Sequence, residues 1–258
     1  GITGALTIDL WDLSPGNSLL MGVSFTSPVG SVGSLLLAAN LEATSNTIGS
    51  VETRVFANGQ TVGGKARFFT IAAAFKEVIL SNSGGSFATL IFGPNGVPQN
   101  GVFHIYAENS AASDLNGACF VNCSGTNSPI LSGTLMNNAS FFGNLSANAA
   151  SGSQPLDQFN TDQYPGRVTI SGGGRFGADV QITSVNTGYF PTLSVGSTLH
   201  FSMEQTSVFR QANPALCFSL DAITSCNQPG VASIGALNGT GPNVILQTDA
   251  SLSFTAKN

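Results

Sequence analysis

The chain is 258 residues long, 42% hydrophobic and only 8% charged, with a formal net charge of −5; average soluble domains are about 25% charged. Disorder goes with high charge and low hydrophobicity, so this chain folds around a sizeable core and presents a surface of Ser, Thr, Asn, Gln and Gly. Its eight basic residues, Arg54, Lys65, Arg67, Lys76, Arg167, Arg175, Arg210 and Lys257, are scattered, and without a clustered basic footprint nucleic acid is excluded as a partner.

The opening segment "GITGALTIDLWDL" alternates Leu6, Ile8 and Leu10 with Thr7, Asp9 and Trp11, the period of a half-buried strand. With Leu6, Ile8, Leu10 and Trp11 it is a candidate assembly strand, donated to the sheet of a neighbouring copy. The alternative is a first strand paired within its own sheet. A start at Gly1 rather than Met fits a processed chain from which an export signal has been removed. Further on, "VGSLLLAANLEA" over residues 32–43 predicts a helix, and Ala72 to Leu80 fits either helix or strand. Two β-rich runs flank Asn58-Gly59 in "VETRVFANGQTVGGKARFFTI", a hairpin signal. "FKEVILSNSGGSFATLIFG" repeats the design, with Ser81 to Gly85 as its turn. "GVFHIYAEN" sets Phe103, Ile105 and Ala107 against Val102, His104 and Tyr106.

From about 108 to 164 the chain is rich in Asn, Ser, Ala and Gly and reads as an elaborated loop region, with one strand at "PILSGTLM". "SANAASGSQPLDQFNTDQYPG" is a flexible connection or, alternatively, a domain boundary. Beyond it "GRVTISGGG", "GADVQITSVN", "STLHFSMEQTSVF" and "NVILQTDASLSFTA" read as strands, with Gly172 to Gly174 as a turn or bulge. Short strands at close spacing and 31 glycines argue against long helices. The expected fold is all-β, a β-sandwich or jelly roll with long polar loops and at most one or two short helices, in a single domain over 1–258. No run of eighteen apolar residues is present, so no membrane-spanning segment is expected.

Four cysteines, Cys119, Cys123, Cys217 and Cys226, allow three pairings. The local pairs Cys119–Cys123 and Cys217–Cys226 are the simplest. Zinc needs two tight knuckles with two to four residues between ligands, and the eight residues between Cys217 and Cys226 do not fit. A reactive thiol needs a neighbouring cation or a C-x-x-C, and neither is present. Structural disulfides therefore lead over metal binding or free buried thiols, and they place the protein in an oxidising setting, secreted to the extracellular space or cell surface.

Signatures of catalysis are sparse. His104 and His200 each sit inside a strand pattern, where a lone His is ordinarily a surface or satisfied core residue. The G-x-S-x-G elbow is absent, and the Gly-rich stretches match neither phosphate nor dinucleotide loops. Glu108, Asp114, Asp157, Asp162 and Glu204 are conceivable members of a glycosidase pair, but spacing singles out no two. No cofactor is expected; a structural calcium ion is left open by the oxygen ligands in "DLNGACFVN" and "LDQFNTDQ". Sequons at Asn122, Asn138, Asn144 and Asn238 mark candidate glycosylation sites.

The C-terminal stretches "ANPALCFSLDAITSC" and "GALNGTGPNVILQTDASLSF", together with the composition, resemble secreted bacterial proteins of the PEP-CTERM class. That resemblance implies an exported, low-charge chain, since several such proteins are linked to exopolysaccharide, flocculation and biofilm matrix. The class shares no catalytic residues, so none are implied. The expected function is a non-enzymatic secreted structural protein that self-assembles into extracellular filaments or biofilm matrix by donor-strand complementation or edge-strand pairing. Its partners would be copies of itself and extracellular polysaccharide. One alternative is a carbohydrate-binding adhesin using Trp11, Tyr106, Tyr164 and Tyr189; a second is an extracellular glycoside hydrolase.

Overall fold

The computed structural model describes residues 10–13, 16–48, 51–62, 65–85, 88–93, 96, 101–108, 128–137, 140–148, 169–205, 243–248 and 250–257. Leu6, Ile8, all four cysteines, Asp114, Asp157, Asp162, Tyr164 and the sequons at Asn122, Asn138 and Asn238 lie outside the described residues. The protein is all-β, and no helix occurs among the described residues, hence none long and apolar enough to cross a membrane.

The strands in chain order are β1 (Leu10–Leu13), β2 (Gly16–Met21), β3 (Val32–Ile48), β4 (Val51–Ala57), β5 (Thr61–Val62), β6 (Lys65–Ala66), β7 (Phe68–Asn82) and β8 (Thr89–Gly93). They continue with β9 (Val102–Glu108), β10 (Leu131–Leu135), β11 (Ser140–Asn148), β12 (Thr169–Val185), β13 (Thr198–Gln205), β14 (Asn243–Thr248) and β15 (Ala250–Lys257). Thirteen form one antiparallel sheet, and β5 and β6 form a separate two-stranded ribbon.

Three long strands, β3, β7 and β12, organise the sheet by changing partner along their length. On β3, β7 and β2 flank the first half, while β1 and β4 flank the second. Opposite its β3 edge, β7 pairs with β9 over Phe68 to Ala74 and with β8 over Val78 to Asn82. Opposite its β13 edge, β12 pairs with β11 over Thr169 to Gly177 and with β10 over Val180 to Val185. At about 3.3 Å per residue, the 17 residues of β3 or β12 give each edge room for two ordinary strands end to end.

The helix predicted over 32–43 is thus part of β3, and Ala72 to Leu80 is part of β7. The two run antiparallel, Val32↔Val78 through Asn40↔Thr70. Leu37, Ala39 and Leu41 of β3 and Ile71, Ala73 and Phe75 of β7 enter the main core. Ala72 and Asn40, on the other face, are buried as well. Because Leu36 and Ala38 stand at the alternate positions of β3, no polar residue marks every second position, and an apolar run of that kind cannot be told from a helix by its period.

The main core also collects Trp11, Leu13, Phe56, Phe103, Ile105, Leu131, Leu135, Ala178, Val180, Ile182 and Leu199, so strands distant along the hydrogen-bonded path meet in one cluster. A second cluster joins Leu20, Val23, Phe25, Ile79, Leu90, Phe92 and Leu145, and Leu35 packs against both. Between Phe75 in the first and Ile79 in the second, on the same face of β7, sits the buried Glu77.

Two further expectations change. The segment from 108 to 164 contains β11 as well as β10, both integrated in the sheet. Gly172 to Gly174 make no turn: they run through β12 opposite Leu145, Asn144 and Gly143. A Cβ on Gly174 would stand 2.9 Å from the Phe142 carbonyl oxygen, so glycine here serves close backbone approach. The Asn58-Gly59 turn does form, with Gly59 at φ 82°. The strands before and after it pair elsewhere, β4 with β3, β5 with β6, and β7 with β3, β8 and β9. The second hairpin joins β7 to β8 as expected, with Gly84 and Gly85 in the left-handed conformation.

Candidate functional site

The β12–β13 ladder places Asp179 opposite His200. Ala178, Val180 and Ile182 on one strand and Leu199 on the other enter the core. Strand alternation therefore sets Asp179 and His200 on the outward face. There the Asp179 Oδ1 lies 2.7 Å from His200 Nδ1, with the Asp side chain 8% exposed and the His side chain 42% exposed. An ionised carboxylate only accepts, so Nδ1 donates, and the ring's tautomer and orientation follow from that bond.

The loop joining the two strands is tied back onto them. Ile182 N donates to the Ser197 carbonyl and Gly196 N to the Ile182 carbonyl, with Gly196 at φ 88°. Ser194 and Ser197 share a hydroxyl–hydroxyl bond of 2.9 Å. From the neighbouring strand, Met136 N donates to the Asp179 carbonyl at 2.8 Å, bringing the chain after β10 alongside. The result is a depression of about 680 Å³ lined by Met136, Asp179, Ser194, Val195, Gly196, Ser197 and Thr198. It holds one carboxylate, three hydroxyls and two apolar side chains. Chemically it can accept and donate neutral hydrogen bonds around a carboxylate already hydrogen-bonded to an imidazole.

A second polar region lies on the face of β3, β7, β9 and β10 opposite the main core. Asn40, Thr70 and Tyr106 occupy one rung and are buried, and Glu108 follows two positions beyond Tyr106, fully buried. Oδ1 of Asn40 and Oε1 of Glu108 accept no hydrogen bond from the described residues, although both residues have other interactions. On the next rung His104 Nδ1 lies 3.0 Å from Ser132 Oγ, and its ring meets Tyr106 edge-on at 6.0 Å. Burial holds the His104 imidazole below its ordinary pKa. Inside the sheet, burial alone pushes the Glu77 carboxyl up to about 8.

The residues singled out from sequence are distributed as follows. Leu10 pairs with Ser253 on one side and Ser45 on the other, and Trp11 is buried in the core, edge-on to Phe69. Tyr106 is buried too, and among the four aromatic candidates Tyr189 is the exposed one within the described residues. Trp11 and Tyr106 therefore cannot serve as a sugar-stacking platform. Asn144 sits within β11 and its Oδ1 accepts from Gly173 N at 3.2 Å. Glu108 and Glu204 lie on β9 and β13, strands that do not pair with one another. Among the described residues no three His, Cys, Asp or Glu side chains gather as metal ligands.

Asp179 was not distinguishable among the thirteen carboxylates. Its place opposite His200 follows from the β12–β13 register, which the sequence alone does not give. No family model, curated protein or solved structure matches this chain.

Proposed function

We propose that this chain is a secreted, non-enzymatic structural protein whose copies cohere edge to edge in an extracellular filament or matrix. The observation that carries this reading is the chemistry of β14. Among the described residues its one strand partner is β2, and its sequence, NVILQT, has neither a charge nor a proline. Soluble proteins ordinarily guard such an edge with Lys, Pro, a bulge or a covering segment, because an unpaired row of N–H and C=O groups recruits another chain. Within the thirteen-stranded sheet the other strand with a single described partner, β4, has Glu52 and Arg54 in its sequence, charges that β14 lacks. A surface with few charges adds little electrostatic repulsion between copies.

Of the two assembly routes, edge pairing is favoured over strand donation by Leu10 to Leu13, because β1 has ladder partners on both sides in its own chain. Pairing of β14 with its equivalent would close a two-fold dimer, whereas pairing with β4 of the next copy would propagate as a filament. Electron microscopy and light scattering across a concentration series test the reading. Concentration-dependent oligomers or fibres are expected from the native chain, and Gln247→Lys should weaken association at least tenfold. A monodisperse monomer at high concentration would sink it.

A further inference from the structure

We propose that the depression beside Asp179 binds a short segment of a neutral saccharide. Its volume of about 680 Å³ falls within the range of small-molecule sites, about 300–1,000 Å³. The lining then decides what kind of molecule fits. Among the described residues its lining contains no Lys or Arg, and Lys257, opposite Thr198, belongs to the next strand, so the walls themselves offer an anion no counter-charge. Its single carboxylate, Asp179, already faces His200 at 2.7 Å, so a cation would compete with an existing partner. Among the described residues its lining has neither an aromatic ring nor a continuous apolar wall to hold a lipid-like ligand.

What remains matches a polyol. Ser194, Ser197 and Thr198 supply hydroxyls, each able both to donate and to accept, and the Asp179 carboxylate supplies a strong acceptor for a sugar hydroxyl. Met136, 40% exposed, and Val195, 64% exposed, supply apolar contact for the C–H face of a sugar ring. The polar groups are held before any ligand arrives. Ser194 and Ser197 are bonded to each other, and the loop carrying them is anchored to Ile182 through both Gly196 and Ser197. His200 holds the carboxylate in place. Such preorganisation lowers the ordering cost of binding. His200 is a positioning residue here, acting through Asp179.

This site is independent of the β14 edge, and the experiment separates them by using the Gln247→Lys chain as a dilute monomer. Neutral gluco-, manno- and galacto-oligosaccharides and an oligouronate are titrated at millimolar concentrations while amide NMR shifts are followed. Saturable shifts centred on Met136 and residues 194–198 are expected with at least one neutral series. Thr198→Val and Ser194→Ala, both at accessible positions, should weaken that binding at least tenfold and leave the unfolding midpoint in place. Asp179→Asn should weaken binding as well, with some loss of stability from the weakened contact to His200, and His200→Gln should have an intermediate effect on binding. Absence of saturable binding to any neutral series, preference for the oligouronate, or unchanged affinity in Thr198→Val would each overturn the assignment.

Discussion

Asp179 and His200 face each other across the β12–β13 ladder, joined by a 2.7 Å contact between Oδ1 and Nδ1. The pair depends on the opposite face of the same two strands. Ala178, Val180, Ile182 and Leu199 are buried in the core, and a one-residue slip of register would turn those side chains outward and separate the dyad. Core packing thus positions a polar site that contributes little to the core itself.

Loss of the imidazole leaves a buried carboxylate without this partner. His200→Ala should lower stability by about 1–2 kcal/mol, the lower part of the range because the ring is partly solvated. His200→Gln, which can still donate, should recover part of the loss. Urea denaturation of both variants measures the difference. Equal midpoints for native protein and His200→Ala would show that the contact has no net value.

Glu77 links stability to pH. Its carboxyl is raised from 4.5 to about 8 by burial between the two apolar clusters. Between those values the unfolded chain releases the proton while the folded chain keeps it, so the folded state binds more protons. Stability therefore falls as pH rises from about 4.5 to 8, with a slope of at most about 1.4 kcal/mol per pH unit from this group. Glu77→Gln should flatten that part of the profile and gain relative to the native chain at pH 8. Thermal or urea unfolding from pH 4.5 to 8.5 reads it directly.

Gly133 marks a tight crossing between β10 and β12, where the register shifts between Ser132 and Gly133. A Cβ there would run into the Val180 side chain and stand 2.9 Å from the Gln181 carbonyl oxygen. Gly133→Ala should cost about 1–3 kcal/mol or prevent folding, the expected range for overpacking. Gly30→Ala, by contrast, meets no atom, and its cost comes only from the left-handed φ of 88°. Unfolding midpoints of the two variants separate clash from backbone strain.

Phe92 and Phe142 test the division between core and surface. Phe92 is 2% exposed within the second apolar cluster, and Phe142 is 57% exposed. Truncation of Phe92 to Ala should cost about 3–5 kcal/mol, and that of Phe142 about 0.5 kcal/mol or less. Comparable losses for the two would refute the placement of the second cluster.

Much of the architecture was legible in local pattern. The alternation of "GVFHIYAEN" marked the strand β9, and the glycines after Asn82 marked the turn between β7 and β8. Residues 32–43 were misleading because apolar residues occupy both sets of alternate positions in the strand they form, which erases the alternation. Gly172 to Gly174 misled for a related reason: glycine marks a turn and a close strand crossing alike, and only the approach of β11 distinguishes them. The candidate site was the least legible. Asp179 and His200 stand in separate strands, each flanked by ordinary alternation.

Composition and local periodicity alone determined that this chain is β-rich, sparsely charged and turn-dense, because those properties reside in residue types and nearest-neighbour spacing. Tertiary structure decided which strands take two partners along one edge, which strand has a single neighbour among the described residues, and which carboxylate meets a histidine. Those outcomes depend on register between segments far apart in the chain, and register is set by how side chains from many strands fill one core.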